Sequence, residues 1–112
     1  MKLSEIVLSN EWDENIKQEF FVRLRRSPLD YHKMKNCVDK SYNIASTGDS
    51  YKVSEAIKLL DYAMENYDDN YGMAYSLQIN GHILERYSHD FLAAYECCTK
   101  WSQIDTNSCV FG

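Results

Sequence analysis

The chain has 112 residues, 45% hydrophobic and 26% charged, with a formal net charge of −5, enough for one modest core in a single domain and not for two. One proline and four glycines leave few breakers, which favours long helices over a strand-rich fold with many turns. No apolar run approaches a membrane span, and the opening MKLSEIVLSNEWDE is too acidic and too short in its apolar part for an export signal, so a cytoplasmic protein without a membrane segment is expected.

Taken in order, Ile6-Val7-Leu8 predicts a turn of helix folded back on the domain. Ser9 or Asn10 then offers an N-cap for a helix over 11–26, with Glu11, Asp13 and Glu14 in its first turn, where carboxylates suit the positive end of the dipole. Trp12, Ile16, Phe20 and Leu24 recur every four residues, widened by Phe21, as one buried stripe. Ser27-Pro28-Leu29-Asp30 reads as a restart, with Ser as N-cap and Pro at the first helical position. The helix it opens, 28–46, is expected to bury Leu29, Met34, Cys37, Val38 and Ile44, with Ala45 at its end.

Thr47-Gly48-Asp49-Ser50 is a loop, and a helix over 52–67 follows with Val53, Ala56, Ile57, Leu60 and Ala63 in register. The turn Tyr67-Asp68-Asp69-Asn70 caps a helix beginning near Tyr71. On that helix Leu77, Gly81 and Leu84 share a side. After a turn closed by Asp90 as N-cap, Phe91, Ala94, Cys98 and Trp101 recur at three- and four-residue steps, the spacing of a buried stripe. Small Gly81 and Ala94 stand where two helix backbones could approach closely. Residues 105–112 lack helical periodicity and read as a tail.

The two hairpins overlay on each other. Ser41 pairs with Gly81, Gly48 with Ser88, Val53 with Phe91, Ala56 with Ala94 and Leu60 with Cys98, a period of about 38–40 residues that lies in the range of two-helix repeats. The boundaries are then 1–27 for an N-terminal capping helix, 28–70 and 71–104 for the repeats, and 105–112 for the tail. Ala56-Ile57-Lys58-Leu59-Leu60 with Ala63, and Gly81, Phe91, Ala94, Ile104 and Asp105 in the other copy, resemble the tetratricopeptide repeat over about 34–107. The signature early Trp is replaced by Cys37 and Leu77, Asn80 stands at a usually apolar position, and the closing Pro is missing.

That resemblance implies an all-α fold of stacked hairpins, a short right-handed solenoid whose first helices line a concave face. Carried over by position, the face includes Lys35, Val38, Tyr42 and Ala45, then Tyr75, Gln78, His82, Glu85 and Arg86. It further implies that Tyr95, Cys97 and Trp101 on the uncapped last helix are covered only in part, by the tail or by another chain, so self-association through that helix is possible.

Charge is uneven. Residues 1–35 carry seven Lys/Arg and six Asp/Glu, whereas residues 36–112 carry five and eleven. Asp61, Glu65, Asp68 and Asp69 gather at one helix end, an acidic surface that would draw a basic partner. Arg23, Arg25 and Arg26 alone make a poor phosphate-binding stripe, so nucleic acid is not expected. Cys37, Cys97, Cys98 and Cys109 form no CxxC or spaced ligand set, and His82 near Glu85 and His89 beside Asp90 come with no nucleophile, so no metal, cofactor or catalytic set is expected. A non-enzymatic protein-binding module is the reading. In size and charge the chain is similar to small bacterial immunity proteins, which bind and block a cognate toxin, often a basic nuclease. Alternatives are an adaptor or chaperone holding a peptide in the concave groove and, third, an enzyme or metal protein.

Overall fold

Four aspartates begin four of the helices. The carboxylate of Asp13 accepts the Ile16 N–H at 2.8 Å, Asp49 that of Lys52 at 3.1 Å, Asp69 that of Gly72 at 2.7 Å and Asp90 that of Ala93 at 3.1 Å, each satisfying an amide that the first helical turn leaves without a partner. The computed structural model describes residues 2–104, and among them the fold is all-α with no strand. The helices are α1 (Leu3–Leu8), α2 (Glu14–Leu24), α3 (Asp30–Ala45), α4 (Ser50–Asn66), α5 (Asn70–Ile83) and α6 (Phe91–Ser102). A π-helical turn, Leu84–Ser88, carries α5 on to a left-handed His89 with φ 52°. The expected tail, with Cys109, lies outside the described residues.

Several boundaries move. The cap of α2 is Asp13, not Ser9 or Asn10, and Ser9 Oγ accepts the Glu11 N–H at 3.0 Å instead. Trp12 therefore sits ahead of the helix yet is buried against Phe20 and Phe21, with ring centroids 5.6 and 6.4 Å away. Ser27 and Pro28 stay in the link, and α3 starts at Asp30. Leu29 is left extended at the cap and is 54% exposed, not buried. Outside the helix, Leu29 loses its register with Met34 and Cys37. In α4, Leu59 joins the buried stripe and Ile57 is only half-buried.

Helix α3 is central, packing on α1, α4 and α5, while α5 packs in turn on α4 and α6. Phe20, Leu24, Met34, Val38, Ile44 and Leu60 are fully buried, and this apolar burial is the main stabilising force. Gly72 brings α5 onto α3: a Cβ there would lie 2.5 Å from Met34 Sδ. Gly81 brings α5 onto α6, its Cβ position being 3.5 Å from the Cys97 Cβ and 3.6 Å from the Ala94 carbonyl oxygen, the close approach that small residues at 81 and 94 predict. Helix α2 closes over α4 through the Lys17–Glu55 ion pair at 3.0 Å and edge-on contact of Phe21 with Tyr62.

The short α1 is held from below. The buried Lys40 ammonium of α3 donates to the carbonyls of Ile6 at 2.7 Å and Ser9 at 2.6 Å, and Asn43 Nδ2 donates to that of Val7 at 2.6 Å. Carbonyls at a helix C-terminus otherwise lack partners, and α1 is too short to stand without such support. Burial lowers the Lys40 pKa to about 8, opposed by Glu11 and reinforced by Lys52.

Candidate functional site

Helix α6 presents its aromatic stripe outward. Phe91 is 64% exposed, Tyr95 70% and Trp101 47%, so the stripe of Phe91, Ala94, Cys98 and Trp101 is not buried as its spacing predicts. The two vicinal cysteines are likewise reversed: Cys97 is buried and Cys98 exposed. Adjacent residues on a helix point about 100° apart, and it is Cys97 that turns onto Gly81.

The exposed stripe forms one wall of a groove of about 510 Å³ between α5 and α6. Phe91, Ala94, Tyr95, Cys98 and Trp101 line it from α6, and Leu77, Gln78, Gly81, His82 and Glu85 from α5 and the turn after it. A second hollow of about 380 Å³ adjoins it, sharing Gln78 and Trp101 and bounded by Tyr31, Lys35, Tyr71 and Tyr75. A third, of about 360 Å³, lies where Tyr42, Tyr75 and Ile79 meet Val7 and Leu8 of α1. The second and third hollows share Tyr75, so α5 contributes to all three openings.

Hydrogen bonds fix that side. The Tyr75 hydroxyl donates to Asp39 Oδ1 at 2.8 Å, and Lys35 Nζ donates to Asp39 Oδ2 at 2.9 Å, tying α5 to α3. Burial, then the bond to Asp39, pushes the Tyr75 pKa up to about 12, and the same carboxylate raises that of Lys35. Tyr42 stacks on His82 with centroids 6.2 Å apart and planes 24° from parallel. Of the residues assigned to a concave face, Gln78, His82 and Glu85 line the large groove and Tyr42 and Tyr75 the hollows beside it. Val38 and Ala45 are buried. Arg86 lines none of these openings; its guanidinium lies 5.9 Å from the Tyr87 ring.

The acidic residues stand elsewhere. Asp61 and Glu65 are exposed on α4, where burial and then Glu65 raise the Asp61 pKa while Lys100 of α6 opposes them. Asp69 is occupied as the cap of α5, and the Asp68 N–H donates to the Asp30 carboxylate at 2.9 Å. None of the four lines the groove. Burial pushes the Cys37 thiol up to about 12 and raises that of Cys97, the reverse of the low pKa that a nucleophilic thiolate needs. Among the described residues no group of three His, Cys, Asp or Glu side chains is placed to hold a metal, and no helix is long and apolar enough to cross a membrane.

No family model, curated protein or solved structure matches the chain. Tyr31 and Tyr71, which bound the second hollow, carry no motif that marks them in the sequence. The signal was the surplus of tyrosine, nine in 112 residues, a residue suited to half-buried walls.

Proposed function

We propose that the chain is a non-enzymatic protein-binding module whose partner docks in the groove between α5 and α6. The supporting observation is the row of exposed aromatics, Phe91, Tyr95 and Trp101, along one wall of an apolar groove. Contiguous exposed apolar surface marks interaction sites, and Tyr and Trp dominate the energetics of protein interfaces. The helix hairpins are read as a short tetratricopeptide-like stack, and the groove as the opening beside its last described helix. Affinity capture from the native host tests this. The same partner should be recovered by the wild type and lost, with the fold intact, on Tyr95→Ala or Trp101→Ala. Retention by both variants overturns the groove reading.

The acidic bias of residues 36–112 favours a basic partner, and neutralisation of a basic toxin, as by bacterial immunity proteins, is the specific form we favour over a peptide-holding adaptor. Asp61 and Glu65 then act at a distance, steering encounter. Co-expression should rescue cells from the cognate toxin. Asp61→Lys with Glu65→Lys should slow association several-fold, less so at high salt. An unchanged on-rate contradicts the steering role.

A further inference from the structure

Resting on the groove reading, we propose that the partner's docking element is an amphipathic α-helix, seated where a next repeat helix would lie, with its apolar stripe against α6 and a basic edge toward Glu85. The internal repeat carries this. In the first copy, Val53, Ala56, Leu60 and Ala63 of α4 and Val38, Ser41 and Ala45 of α3 are buried, in the hairpin on which α5 packs. Their counterparts one repeat along, Phe91, Ala94, Cys98, Trp101, Gln78, Gly81 and Glu85, all line the open groove. Under the repeat, the groove corresponds to the place that α5 takes on α3 and α4.

The exchanges between copies describe the occupant. Val38 becomes Gln78 and Ala45 becomes Glu85, so polar side chains stand beside Leu77 and Gly81 on this wall where α3 has apolar ones. The α6 wall gains the aromatics Phe91 and Trp101 in place of Val53 and Ala63. An all-apolar helix would strand Gln78 and Glu85, which are polar groups in need of partners. A helix with one apolar stripe and lysine or arginine along its α5-facing edge satisfies both walls. Among the described residues no lysine or arginine lines the groove, so Glu85 has no competing cation there. Such a helix-in-groove mode reads anchors at i, i+3, i+4 and i+7.

The test uses a synthetic amphipathic peptide of about 18 residues, with leucine and alanine at those anchor positions and lysine on one flank. Two relatives accompany it, one with a central proline and one with glutamate for lysine. Binding to the full chain is followed by amide and indole NMR shifts, and peptide helicity by circular dichroism. The lysine peptide is expected to shift Gln78, Tyr95 and the Trp101 indole while becoming helical. The proline peptide should bind at least tenfold more weakly and the glutamate peptide several-fold more weakly. Tyr95→Ala, whose side chain is exposed, should cost about tenfold without changing thermal unfolding.

Equal affinity for the helical and proline peptides overturns the helix and leaves the groove reading standing. Shifts confined to other faces, or none up to millimolar peptide, also overturn it, while capture that still depends on Tyr95 and Trp101 would keep the groove reading. A concentration-dependent dimer broadening the same resonances would assign the position to a second copy. Tenfold tighter peptide binding after removal of residues 105–112 would assign it to the chain's own tail. Either result contradicts a partner helix.

Discussion

Lys40 is fully buried, and it survives there because two main-chain carbonyls, those of Ile6 and Ser9, accept its protons at 2.7 and 2.6 Å. Lys40→Met would keep the bulk and leave both carbonyls without that donor, so unfolding in urea should show a loss of about 2 kcal/mol; an unchanged midpoint contradicts the tether. The same residue sets a pH signature. Its pKa is lowered from 10.5 to about 8, so between those values the unfolded chain holds the proton and the native one has released it, and stability rises with pH. Cys37 acts in the opposite sense, its thiol raised from 9.0 to about 12 by burial, so from pH 9 the unfolded chain ionises first and stability falls. Tyr75, raised from 10.0 to about 12, adds to that fall. Urea unfolding should therefore show a rise from pH 8 to 9, a flattening where the groups oppose, and a decline above 10.5. Lys40→Met should lose the rise, and Cys37→Ala should reduce the decline. A monotonic wild-type profile contradicts this assignment.

Glycines 72 and 81 make a second comparison. A Cβ on Gly72 meets the buried Met34 at 2.5 and 2.8 Å, whereas one on Gly81 makes only ordinary contact at 3.5 and 3.6 Å. Overpacking costs roughly 1–3 kcal/mol, and alanine gains about 1 kcal/mol of helix propensity. Gly72→Ala is thus expected to lower the unfolding temperature and Gly81→Ala to leave it unchanged or raise it. The reverse order would contradict the packing of α5 on α3.

Among helices, α6 is the least anchored of the long ones. Cys97 is its one buried residue among those described, against Val53, Glu55, Ala56, Leu59, Leu60 and Ala63 in α4. Local stability follows such burial, so amide exchange should be fastest in α6 and slowest in α3 and α4. Asp90→Ala, which removes the cap on α6, should cost that helix about 1 kcal/mol and accelerate its exchange alone. Uniform acceleration across α3 and α4 contradicts an independently fraying α6.

Much of this level was legible. Asp90 read as a cap, the turn 67–70 as the cap of the next helix, and Gly81 with Ala94 as a close approach. Asp13 did not read as a cap, because Ser9, Asn10 and Asp13 are all competent and only the backbone path chooses among them. Leu29 was assigned to a helix that begins one residue later. The π-helical turn at Leu84–Ser88 has no signal in its composition. The stripe on α6 was grouped correctly and its burial was not, because periodicity identifies a face and says nothing of what lies against it. Among the described residues nothing packs over Phe91, Tyr95 and Trp101, and that is a tertiary fact no spacing encodes.

At the scale of the whole molecule, charge and apolar surface separate. Asp61 and Glu65 lie on α4, and the aromatic groove opens between α5 and α6. Under the proposed function, encounter falls to one surface and residence to the other. The identity of the proposed partner was not legible, since half of any recognition chemistry lies in the other molecule. The most direct measurement places a photo-crosslinking residue at position 95, in the groove, or at position 58, on the exposed face of α4, in cells of the native host. The groove reading predicts one discrete adduct from position 95, abolished by Trp101→Ala, and none from position 58. An adduct from position 58 with none from position 95 would contradict it.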